Sequence, residues 1–148
     1  MGQNIEKILR YFLNILGCYL IFDGAIHLFN IRLLSVAGIW PNSALSYATL
    51  LDTIYASFVF LAAVLIFTAQ KDLKKYTNLL FASSIWALMH GFLLIYLTSS
   101  QNFTLSFWSL SSLSVWIPFY NQYLLFEALL AFIYVILVFA YLKSSKSK

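Results

Sequence analysis

Five side chains that can exchange a proton or ligate a metal lie inside long apolar stretches of this sequence. They are three carboxylic acids and both histidines of the chain: Asp23, His27, Asp52, His90 and Glu127. The apolar part of these stretches contains no Lys or Arg that could neutralise the acids. A charged side chain at the centre of a bilayer costs roughly 2.5–3.5 kcal/mol on insertion scales, so its presence needs a reason.

Asp23 and His27 are four residues apart and therefore share one face of a helix. A carboxylate beside an imidazole fixes the tautomer of the ring, holds a proton, or supplies two metal ligands. Tyr55, Trp86 and Tyr123 stand three or four residues from Asp52, His90 and Glu127 respectively, although packing or lipid contact is the better explanation for each aromatic taken singly.

Four interpretations of the five residues remain open. In the first, the polar side chains only hydrogen-bond between helices and hold them together. In the second, all five are candidate ligands of a zinc, iron or manganese ion, as inward-facing Glu, Asp and His are in other helical bundles. In the third, they form a proton relay or a site for a small lipophilic or cationic ligand. A haem held by His27 and His90 is least favoured, because their estimated depths differ by about 8 Å.

Four apolar stretches must position these residues, and we expect them to be transmembrane helices at 8–29, 44–69, 78–98 and 118–142. The chain has 148 residues, of which 62% are hydrophobic and 9% are charged. A soluble domain carries about a quarter charged residues, and a span of roughly 20 apolar residues crosses the hydrocarbon. The prediction is an all-α, integral membrane four-helix up-down bundle that forms a single domain over residues 1–148.

Helical rise places one ionisable residue of each span in a common layer. With about 1.5 Å per residue, Asp23, Asp52, His90 and Glu127 lie about 10–13 Å below the outer ends of the helices, and His27 lies about 4 Å below. The sequence therefore predicts a buried acidic and histidine site in the outer half of the bilayer. Gly17, Gly24 and Gly91 are expected to let helices approach closely.

The distribution of Lys and Arg predicts the orientation. Eight of the nine cationic residues fall before the first span, between the second and third, or after the fourth, and only Arg32 falls on the other side. By the positive-inside rule both termini are cytoplasmic, in a multi-pass protein of the cell membrane. The second outer loop, residues 99–117, has no charged residue and is predicted to lie at the membrane interface.

The layout resembles two groups of four-span proteins, the DoxX/DoxD-like membrane subunits and the sterol-isomerase/sigma-2-receptor-like bundles. The shared features are length, span count and, for the second group, acidic residues within the helices. The first resemblance implies a structural accessory subunit of a larger redox or transport complex.

No motif of soluble enzymes is present, so the sequence names no reaction, and a metal-dependent intramembrane enzyme remains a further alternative. We expect the lipid bilayer, other membrane subunits or further copies of this chain as partners, and no nucleic acid. The single cysteine, Cys18, excludes an intramolecular disulfide.

Overall fold

A computed structural model of the chain describes residues 2–29, 45–99 and 117–146, which form four helices. These are α1 (Gly2–Leu28), α2 (Leu45–Lys71), α3 (Thr77–Ser99) and α4 (Ile117–Lys146). Each is long and apolar enough to cross a membrane, which confirms the four predicted helices. The predicted interfacial loop lies almost wholly outside the described residues.

α1 begins six residues before its predicted start, since its polar first turns are also helical. Arg10 donates to the Glu6 carboxylate at 2.9 Å, one helical turn away. Such pairs at i, i+4 stabilise a helix by about 0.2–0.5 kcal/mol. The hydrophobic run therefore marks only the part of α1 that is suited to lipid, and the helix extends beyond it.

Two compact units make up the chain. The α1–α2 unit contains Leu13–Lys71, and the α3–α4 unit contains Asp72–Lys148 together with Met1–Phe12 from the beginning of α1.

In the α3–α4 unit, the helices pack through small and aromatic side chains. Leu94, Leu124 and Ala128 form a buried cluster against Phe132. A Cβ atom added at Gly91 would lie only 3.1 Å from the Phe132 ring, so the glycine is what allows the ring to lie there. Further along, the Ser83 and Tyr134 hydroxyls are hydrogen-bonded at 2.6 Å, and Phe81 contacts the Phe139 ring edge-on. Residues later in α3 thus contact residues earlier in α4, and the two helices are antiparallel.

In the α1–α2 unit, two rings of α2 lie against two glycines of α1. Phe67 packs on Gly17, where an added Cβ would come within 2.7 Å of the ring, and Phe60 packs on Gly24, where the same distance is 3.2 Å. Both pairs are spaced by seven residues, so they lie on one face of each helix and the helices run antiparallel. These contacts, with the one at Gly91, confirm the close approaches predicted for the three glycines.

Some ionisable residues are buried while many large apolar side chains are exposed, a distribution unlike that of a soluble protein. Asp23 and Asp52 are 0% and 1% exposed, whereas Phe22 and Phe58 are 61% and 66% exposed. Exposed large apolar side chains occur along all four helices. A surface of this kind suits hydrocarbon as the surrounding solvent.

Candidate functional site

The candidate site lies in the α1–α2 unit and joins the last turns of α1 to the beginning of α2. Asp23 and His27 are one turn apart near the end of α1, and Asp52 is in the second turn of α2. The three side chains are buried, with His27 the most exposed at 6%. Tyr55, one turn after Asp52, is half-buried beside them.

His27 lies between the two carboxylates and directs a different ring nitrogen at each. Its Nδ1 atom is 2.8 Å from Oδ1 of Asp52, which is a short hydrogen bond. Its Nε2 atom is 3.7 Å from Oδ1 of Asp23, which is within ion-pair range but too long for a hydrogen bond. The imidazole is therefore held firmly by α2 and more loosely by the carboxylate of its own helix.

Tyr55 extends the arrangement beyond Asp23. Its hydroxyl donates to Oδ2 of Asp23 at 3.1 Å, and its ring meets the His27 ring at 4.5 Å between centroids and 62° between planes. We call the series Asp52, His27, Asp23 and Tyr55 the Asp–His chain. The two interior residues are His27 and Asp23. Each directs one polar atom of its side chain at the preceding residue of the Asp–His chain and the other at the following residue.

Three sequence features bring the Asp–His chain together. The i, i+4 spacing places Asp23 and His27 on one face of α1. The same spacing places Asp52 and Ala56 on one face of α2, and both are buried. Gly24, next to Asp23, lets the Phe60 ring of α2 lie against the backbone of α1. Tyr55 follows Asp52 by three residues, so it lies on the same side of α2 and places its hydroxyl 3.1 Å from Asp23.

His90 and Glu127 belong to the α3–α4 unit, and both are partly buried. His90 stacks on the Trp86 ring of the preceding turn, with 5.0 Å between centroids and 9° between planes. Three of the five predicted site residues therefore come together in the α1–α2 unit. The common layer of all five residues stays a prediction.

The geometry of the described residues does not support a metal centre. Among the residues that the structure describes, no group of three or more His, Cys, Asp or Glu side chains is arranged to hold a metal ion. The physical reason is visible at His27, whose two nitrogens point to different carboxylates instead of sharing one focus with them. A zinc, iron or manganese ion needs lone pairs that converge at about 2 Å.

Sequence reasoning missed three polar contacts. Tyr55 was noted only for its spacing from Asp52, yet its hydroxyl contacts Asp23 on the other helix. The bond between His27 and Asp52 joins α1 to α2 and is not predicted by spacing within either helix, whereas the depth of His27 stays a prediction. The bond between Ser83 and Tyr134 was also missed, and its signal was a serine within an apolar helix, where a hydroxyl requires a partner.

Comparisons with protein-family models, with curated proteins and with solved structures gave no match to this chain. The resemblance in layout to the DoxX/DoxD-like subunits and to the sterol-isomerase/sigma-2-receptor-like bundles therefore has no support from these comparisons. Function must be argued from the geometry of the site.

Proposed function

We propose that this is a small polytopic protein of the cell membrane that relays protons through the Asp–His chain. The observation that carries the proposal is the serial arrangement of the four groups. Both nitrogens of His27 face carboxylates, and both oxygens of Asp23 face a neighbour in the chain. An imidazole that accepts a proton at one nitrogen and releases one from the other can pass protons between two carboxylates.

The spacing within the chain fits a proton better than a metal ion. Transfer of a proton requires a donor and an acceptor within hydrogen-bond reach, about 2.6–3.2 Å. Two of the three links, at 2.8 Å and 3.1 Å, meet this requirement. The third, at 3.7 Å between His27 and Asp23, closes by rotation of either side chain when His27 becomes protonated, because the carboxylate then attracts the ring.

The charge of the site also favours bound protons. Two carboxylic acids face one imidazole, and residues 11–29 and 45–70 include no Lys or Arg. When His27 is protonated and both acids are ionised, the three groups carry one net negative charge, and one further proton neutralises them. Burial of uncompensated charge is costly, so proton uptake offsets that cost.

The proposed orientation has both termini in the cytoplasm and the four spans running up and down. Under the positive-inside rule, the Lys-rich ends of the spans face the cytoplasm. The Asp–His chain, at the opposite end of α1, then lies in the outer half of the bilayer and exchanges protons with the outer aqueous phase.

Proton flux across liposomes tests the proposal. The full chain is reconstituted with a pH-sensitive dye inside, and a membrane potential drives protons inward. We expect flux above that of protein-free liposomes, and its loss in Asp23→Asn and Asp52→Asn. Asp72→Asn is the matched control, because this exposed carboxylate accepts the backbone N–H of Lys75, and an asparagine accepts it equally well. Wild-type flux no greater than that of empty liposomes contradicts the proposal.

A structural accessory subunit of a larger redox or transport complex is the second candidate function. It is favoured by the two bonds that cross from α1 to α2, His27 to Asp52 and Tyr55 to Asp23. Bonds of this type contribute on average about 0.6 kcal/mol each in membranes. In that case the wild type conducts no protons, co-purifies with other membrane proteins in mild detergent, and loses those partners in Asp23→Ala and Asp52→Ala, which remove the acceptors of the two bonds.

A further inference from the structure

Three separate segments of the chain meet at one end of the α3–α4 unit. Residues Met1–Phe12 and Asp72–Lys148 form one compact unit, in which the Phe12 ring of α1 stacks on the Tyr134 ring of α4 at 6.5 Å between centroids. Tyr141, two turns further along α4, is buried. Leu73, beside Asp72, is completely buried. The first turns of α1, the turn before α3 and the last turns of α4 are therefore held at a common end.

This end carries an excess of positive charge. Four exposed lysines lie next to the residues that meet there, and we call them the lysine cluster: Lys7, Lys74, Lys75 and Lys143. The nearby acids are already engaged, since Glu6 accepts from Arg10 at 2.9 Å and Asp72 accepts the backbone N–H of Lys75 at 3.0 Å. The four ammonium groups thus outnumber the carboxylates that could neutralise them.

The lysine cluster lies at the ends of the apolar spans, which is the depth of lipid headgroups. The span of α1 begins at Gln3 and the span of α4 ends at Ser145, so Lys7 and Lys143 are each within about one turn of a span end. The span of α3 begins at Thr77. A lysine at such a position extends its ammonium group to the interface while its methylene groups stay in the apolar region. Lys74 and Lys75 are in the short connection between two spans and are exposed.

We propose that the lysine cluster binds the phosphate group of anionic phospholipids. Basic residues beside a membrane span attract anionic headgroups, and each one near the surface raises the affinity about fivefold. Because the four lysines come from three segments, one headgroup would join parts of the chain that are far apart in sequence. The inference does not depend on the proton relay, which belongs to the other unit.

Lipid selectivity of the reconstituted full chain tests the proposal. Electron spin resonance compares the association of spin-labelled phosphatidylglycerol and phosphatidylcholine with the protein. We expect the anionic lipid to be preferred several-fold, with a preference that decreases as salt is added. Changing the whole lysine cluster to Gln should abolish the preference, and changing it to Arg should preserve it. The single change Lys75→Gln should lower the preference by up to about fivefold, and it supplies a milder variant if the quadruple one does not fold.

Arg32→Gln is the matched control, since it removes the same charge outside the cluster and should leave the preference intact. Equal association of the two lipids with the wild type overturns the proposal, as does a preference that survives the Gln changes. Displacement of the anionic lipid by inorganic phosphate, but not by chloride at the same ionic strength, would show a site for the free ion and would also overturn it.

Discussion

The substitution that best separates proton relay from helix tethering is Asp52→Asn. The asparagine has the shape of the aspartate, and its Oδ1 atom can still accept the His27 Nδ1–H at the 2.8 Å distance seen in the structure. What it loses is the ability to take up a proton. The variant therefore preserves the interhelical bond and removes one member of the relay.

The size of the two effects follows from the geometry. Interhelical hydrogen bonds in membranes average about 0.6 kcal/mol and reach about 1.7, and an ionised acceptor makes a bond roughly twice as strong as a neutral one. Asp52→Asn should thus lower the free energy of unfolding by less than about 1 kcal/mol. Asp52→Ala leaves the His27 donor without its acceptor in a site only 6% exposed, and should cost about 1–3 kcal/mol more.

The effect of Asp52→Asn on proton flux should be large although its effect on stability is small. A positioned acid or base typically contributes about 10²–10⁴-fold to the rate of proton transfer, so Asp52→Asn should reduce flux about 100-fold or more despite its small effect on stability. Denaturant unfolding in detergent, followed by circular dichroism, gives the stabilities, and the dye-loaded liposomes give the flux. Flux at the wild-type level in Asp52→Asn, or equal destabilisation by Asn and Ala, would refute the reasoning.

Three further outcomes are expected. Tyr55→Phe keeps the ring but removes the hydroxyl donor, so proton flux should fall while the unfolding free energy changes by less than about 1 kcal/mol. Gly17→Ala should destabilise more than Gly24→Ala, because its new Cβ would lie 2.7 Å rather than 3.2 Å from a ring; overpacking costs about 1–3 kcal/mol, measured by thermal unfolding in detergent. Ser83→Ala leaves the buried Tyr134 hydroxyl without its 2.6 Å partner, so the melting temperature should fall while relay activity stays unchanged.

The helices were predictable because the period and length of apolar runs directly reflect the solvent around them. A run of about 20 apolar residues in a chain with 9% charged residues has few alternatives to a transmembrane helix. The pairing of Asp23 with His27 was predictable for a similar reason, since residues four apart in a helix must be neighbours. Both inferences use only information within one helix.

The bridge from His27 to Asp52 was not predictable, because it depends on how α1 and α2 are aligned. The depth estimate assumed that both helices end at the same level, which separated the two residues by about 8 Å. In the structure the alignment follows from packing, with the rings of Phe60 and Phe67 lying on Gly24 and Gly17. Contacts of this kind depend on the shapes of residues far apart in sequence, and no periodicity encodes them.

The glycine contacts and the Asp–His chain depend on one another. An uncompensated carboxylate is tolerated in an apolar unit only where its partners lie within hydrogen-bond reach, and that requires α1 and α2 to be close. Gly24 provides this proximity beside Asp23, because the Phe60 ring lies 3.2 Å from the position that a Cβ atom would occupy. Burial of Asp23, His27 and Asp52 strengthens each electrostatic link between them. A tether between helices needs only one good hydrogen bond, whereas a buried series of four groups, each facing the next, also suits the proposed transfer of protons.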